Sequence, residues 1–213
     1  MSEEPVSSAR TVARSELAEP PPRRWAHTQG VADRAGRLDG VLGQKAGLLV
    51  CAALLHDVGH APRLAATGFH PLDGARFLRD VHGADDQLTR LVANHSFALL
   101  EAEERGLRET MEAEFPLLEN PRLVDSLVWC DMTTTPDGGP TTAEARVAEI
   151  LGRYGTGSVV GVLPMSWRFP PGRESRAARG PRLLRNPERS FESSGTIDTG
   201  AFPTLERFTA EHR

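Results

Sequence analysis

The chain has 213 residues, 39% hydrophobic and 25% charged, which is enough for one ordinary domain with a hydrophobic core. A formal charge of -4 and a pI near 6.0 give no general electrostatic footprint for nucleic acid or an anionic membrane, so an anionic ligand would need metal ions or a few arginines. No unbroken apolar stretch approaches the roughly 18 residues of a membrane span. The opening MSEEPVSSAR lacks the apolar region of a secretory leader, so a cytoplasmic location is expected.

Residues 1–19 are polar and are expected to form a flexible N-terminus. Pro20-Pro21-Pro22 suits a helix start, and RRWAHTQGVADRAGRL follows with Trp25, Val31, Ala32, Ala35 and Leu38 near helical spacing. Gly40 and Gly43 break it. A second helix, about Lys45 to His56, is apolar almost all round, as a central bundle helix would be. HPLDGARFLRDVHG predicts a third helix stopped at Gly83, and ADDQLTRLVANHS a fourth, starting at Asp85 or Asp86. Residues 97–118 predict one or two more. Asn120-Pro121 opens a helix through Trp129 to Met132, and Thr142 caps a last one through Tyr154. No strand pattern and no repeat is visible. The expectation is a compact all-α domain over residues 20–155, with Cys51 and Cys130 as buried free thiols. Residues 156–213, rich in Arg, Pro, Gly and Ser without an apolar face, are expected to be a disordered tail.

The chemistry concentrates in AALLHDVGHAP. An apolar helix that finishes on His56-Asp57 puts an imidazole and a carboxylate side by side, about 100 degrees apart around the axis. Both reach one ion when it sits at the helix end, where Gly59 bends the chain. Such a donor pair suits Fe, Mn, Zn, Co or Ni, and a bound ion offsets the cost of a buried carboxylate. His27 in the first helix and Asp131 in SLVWCDM are further polar groups in apolar stretches. Alone, each reads as a satisfied core residue or a cap. Together with His56-Asp57 they make a His-His-Asp-Asp set from three helices.

This order, His27, His56-Asp57, Asp131, resembles the HD superfamily of metal-dependent phosphohydrolases over roughly residues 20–155. The resemblance implies an all-α fold and a metal held by those four side chains. His70, which opens HPLDGARFL, and His95, which closes LVANHS, further resemble the two-metal branch, where such histidines bind a second ion and the Asp of the pair bridges. The alternative is that His70 is a helix N-terminal residue and His95 a C-terminal one, where an imidazole interacts well with the dipole. NHS stands where cyclic-di-GMP phosphodiesterases of this superfamily carry a paired histidine followed by GYP, which argues against that substrate.

The implied reaction is hydrolysis of a phosphate ester or anhydride, on a small phosphorylated, nucleotide-like substrate, by a metal-activated water. Its ion or ions would be Fe or Mn, and less readily Zn, Co or Ni. Asp57 and His60 are the expected catalytic groups; His60 contacts phosphate or donates a proton, or is simply a half-exposed loop histidine. Arg24, Arg63 and Arg76 stand near the motif in sequence, and Arg24, Arg63 and Thr134 are taken as substrate contacts. Thr133 and Asp137 are the other candidates in the loop DMTTTPDGGP, which otherwise reads as a plain turn. His82 and His212 fit no pattern and are expected at the surface. Some relatives with the same six ligand positions are mixed-valence di-iron oxygenases, and a regulatory module with a vestigial site is a third class. No partner macromolecule and no oligomeric state is indicated.

Overall fold

The structure, a computed structural model, describes residues 3–18 and 23–154. Every regular element in them is a helix; an isolated bridge joins Thr134 to Pro140. The all-α expectation therefore holds for the described residues. Pro20–Pro22, His212 and the tail expected at 156–213 lie outside them.

The centre is α4 (Ala46–Leu55), whose Leu49, Ala52, Ala53 and Leu54 are fully buried. Around it pack α1 (Glu3–Leu17), α2 (Arg23–Gly36), α6 (Asp86–Ala93) and α9 (Pro121–Met132). Those neighbours explain a helix with no polar face. The short α3 (Asp39–Leu42) and a 3-10 turn precede it, and Gly43, at φ 53°, makes the corner. Taken as one run, Asp39–His60 is long and apolar enough to cross a membrane, which the continuous apolar stretch alone does not suggest. In its most apolar window 61% is already buried inside the fold, so the core accounts for the apolarity.

The N-terminal segment corrects the expectation of flexibility. Glu3 to Leu17 is a helix that buries Ala9, Ala13 and Leu17 against α4. These stand at i, i+4 and i+8, a stripe narrow enough to be hidden by the polar residues around it.

The remaining boundaries follow local chemistry. After α4, a 3-10 turn over Val58–His60 leads towards α5 (His70–His82). A Cβ at Gly59 would lie 2.1 Å from the His70 carbonyl oxygen and 2.5 Å from the Gly74 nitrogen. Only glycine lets this turn press on the first turn of α5. Buried Asp73 accepts from the Thr67 and Gly68 amides and from the Thr67 hydroxyl, fixing the approach to α5. Asp85 caps α6 through the Gln87 amide. Two short helices, α7 (Ala98–Glu104) and α8 (Arg108–Glu114), lead to α9, capped by Asn120. Thr142 caps α10 (Ala143–Tyr154). Cys51 and Cys130 are buried free thiols, as expected.

Candidate metal centre

His27 comes from α2, His56 and Asp57 from the end of α4, and His70 from the start of α5. His95 follows α6, and Asp131 lies in the last turn of α9. All of them meet in one place. Ring centres run His27 to His56 at 5.5 Å, His56 to His95 at 5.1 Å, His95 to His70 at 5.1 Å and His70 to His60 at 3.7 Å. Two sets have all donor atoms within 4.8 Å of one another: His27, His56 and Asp57, and Asp57, His70 and His95. Asp57 belongs to both.

Hydrogen bonds fix which nitrogen each ring presents. His56 Nδ1 lies 2.8 Å from the Ala53 carbonyl and His95 Nδ1 2.6 Å from the Val92 carbonyl. A carbonyl only accepts, so both Nδ1 atoms carry hydrogen, and the Nε2 that each ring turns inwards is the atom left for a metal. His56 Nε2 is buried with no hydrogen-bond partner. His95 Nε2 faces His70 Nε2 at 3.1 Å. His27 Nδ1 donates to the Thr135 carbonyl at 2.9 Å, and its Nε2 lies 2.9 Å from Asp131 Oδ1. Backbone carbonyls that orient the ring from behind are the usual outer support of metal-binding histidines. Lone pairs converging on a buried carboxylate, one of them orphaned, fit a transition-metal cation.

The charges agree. Burial alone would raise the Asp57 carboxyl, but His56, His60, Arg24 and His70 outweigh it and hold it well below the usual carboxylate range. Burial likewise opposes ionisation of Asp131, and His27 with His56 and Arg146 overcomes it. Burial, then the neighbouring imidazoles, pushes His70 well down. His95 is lowered, chiefly by burial. His60 falls to about 4 because it is desolvated. His27 is raised: burial works against the charged form, and Asp131 wins.

The donors open into a pocket of about 340 Å³ that Arg24, Ser96, Phe97, Arg105 and α10 also line. A family model described as HD domain matches residues 24–151. The chain belongs to the HD domain family. No curated protein and no solved structure matches it.

In this HD domain Arg24, expected as a substrate contact, lines the pocket and lies 3.0 Å from Asp57 Oδ2. Two other expected contacts are corrected. Arg63 points away, pairing with Glu16 of α1 and covering the Phe77 ring; the 3-10 turn at Pro62–Leu64 aims it at α1. Thr134 is buried, and its hydroxyl donates to the Cys130 carbonyl at 2.7 Å, continuing the pattern of α9. Thr133 bonds Trp129 in the same way. Arg76 pairs with Glu114, and Asp137 pairs with Arg23 at the surface. His82 is exposed, as expected.

What the loop after α9 does supply is backbone. Gly138, at φ 84°, backs onto the Ala26 carbonyl, where a Cβ would lie 2.4 Å away. That contact brings the Thr135 carbonyl to His27. Sequence reasoning also missed Ser96, whose hydroxyl bonds Asp131 Oδ2. Ser96 and Phe97 are the described non-glycine residues at positive φ, 49° and 62°. Strain of this kind gathers at functional sites. Its position directly after His95 was the available signal.

Proposed function

We propose that this HD domain is a metal-dependent phosphohydrolase with two ion positions bridged by Asp57, cleaving a phosphate ester or anhydride of a nucleotide-like substrate. The observation that carries this is the sharing of Asp57 between two donor sets, one buried and one reaching the pocket through half-buried His70. His27, His56, Asp57 and Asp131 would hold one ion, and Asp57, His70 and His95 the other, with Fe or Mn suited to such mixed nitrogen and oxygen donors. Bound ions supply an acidified water and Lewis acidity at phosphoryl oxygens.

The chain's own groups do the rest. Arg24 braces Asp57 and, half-exposed on the pocket wall, presents a guanidinium to an incoming phosphate. His60 stacks on His70 beside Asp57 and is assigned to the substrate phosphate or its leaving oxygen. Ser96 and the Thr135 carbonyl keep Asp131 and His27 in one orientation.

The test is a panel of phosphomonoesters, nucleotides, cyclic nucleotides and bis-nucleotides, assayed with Mn and Fe. His56→Ala and Asp57→Ala are each expected to lose bound metal and activity together. Full activity in a metal-free variant contradicts the reading. So does substrate-dependent oxygen uptake by iron-loaded protein that hydrolyses no member of the panel.

A further inference from the structure

At its His70 end the pocket is lined by Gly68, Glu101 and Arg105. The Arg105 guanidinium lies over the Phe69 ring at 5.5 Å, and that ring stands 6.3 Å from the ring of His70. Glu101 lies in α7 and Arg105 directly after it. Glu101 Oε1 accepts from Arg105 Nε at 2.8 Å and is 2.6 Å from its Nη2. One carboxylate oxygen therefore takes both contacts. Among the described residues Glu101 Oε2 accepts no hydrogen bond and Arg105 Nη1 donates none. With its side chain 13% exposed, Glu101 is shielded from bulk solvent over most of its surface.

The pair is neutral as a unit and offers the pocket one acceptor and one donor. An ionised phosphate only accepts, and the carboxylate repels it. An ammonium group only donates, and the guanidinium repels it. A hydroxyl both donates and accepts, so it suits the pair. A carboxylate is a proven partner for a ribose hydroxyl. Place supports the same choice: the pair stands beside Phe69 and His70, next to the donors expected to hold the scissile phosphate. In a nucleotide the sugar, with its vicinal hydroxyls, lies between phosphate and base.

We propose that Glu101, held by Arg105, is a specificity-determining residue that accepts a hydrogen bond from a sugar hydroxyl. The substrate class becomes a phosphate ester or anhydride of a ribonucleoside, in preference to its deoxy counterparts. Which phosphate is cleaved rests on the hydrolase reading; the sugar contact is a matter of binding.

Calorimetric titration of the metal-loaded full chain tests it with two phosphonates, the analogues of adenosine monophosphate and of its 2′,3′-dideoxy form. Carbon replaces their bridging oxygen, so no turnover intervenes. The analogue with both hydroxyls is expected to bind about tenfold more tightly or better, the worth of one charge-assisted hydrogen bond. A carboxylate left unpaired by the dideoxy form adds to that margin. In Glu101→Ala, with native metal content, the margin should shrink to about twofold. Glu101→Gln, which keeps an acceptor without the charge, should retain part of it. Equal binding of the two analogues by the native protein, binding of neither, or an undiminished margin in folded, metal-loaded Glu101→Ala overturns the assignment. Failure of the hydrolase reading looks different: metal-loaded protein turns over no phosphate compound. A hydroxyl-dependent margin that persists there and falls in Glu101→Ala still upholds the sugar contact.

Discussion

Asp57 sits on α4 where an all-apolar helix ends, and its two oxygens are divided between Arg24 on one side and three imidazoles on the other. Ionised and buried, it is held by the Arg24 guanidinium and the imidazoles around it and not by solvent. Asp125 is the opposite case. It lies on α9 away from the cluster, and burial raises it to about 6 with no compensating cation. Unfolded, it would titrate near its ordinary value of about 3.9. Between those values the folded protein keeps a proton that the unfolded chain has released, so Asp125 weakens the fold progressively as pH rises through that window. Asp125→Asn removes the penalty. Denaturant melts should show the variant more stable than the native protein at pH 8, by on the order of 1 kcal/mol after allowing for its partial exposure. They should show little difference at about pH 4. Equal stabilities at both pH values would contradict this account of Asp125.

At the scale of elements, the site depends on close backbone approach. The turn Val58–His60 presses on α5 at Gly59, and the loop after α9 presses on α2 at Gly138. Gly59→Ala must move the turn or the helix, because its methyl would meet the His70 carbonyl and the Gly74 amide, both backbone. A destabilisation of about 3 kcal/mol is expected, read as a lower urea midpoint, together with weakened metal binding, since His70 and Asp57 no longer keep their spacing. A Gly59→Ala protein of native stability and native metal content would show that the contact is dispensable.

At the scale of the whole molecule, the order of the longer helices α2, α4, α5, α6, α9 and α10 was legible because each carries its own period, cap or stop: Asp85, Asn120 and Thr142 cap where expected, and Gly83 ends α5; the one-turn α3 falls where Gly40 and Gly43 were expected only to break the chain. His27, His56, Asp57 and Asp131 stood out because they interrupt apolar surroundings, whereas His70 and His95 were singled out only by the family resemblance. What was not legible depended on where neighbouring elements lie. The three-residue stripe of α1 gains meaning only against α4. Arg63 and Arg24 are equally near the motif in sequence, yet a turn at Pro62 sends Arg63 to Glu16, while the first turn of α2 aims Arg24 at Asp57. Thr134 was placed in a loop, but its hydroxyl closes the end of α9.

The central claim is that one carboxylate, from Asp57, joins two ion positions. Elemental analysis of the metal-loaded native protein and of His70→Ala tests it most directly. The account predicts two ions per chain in the native protein and one in the variant. A native protein that takes up no metal, or a His70→Ala protein that keeps both ions, would contradict it.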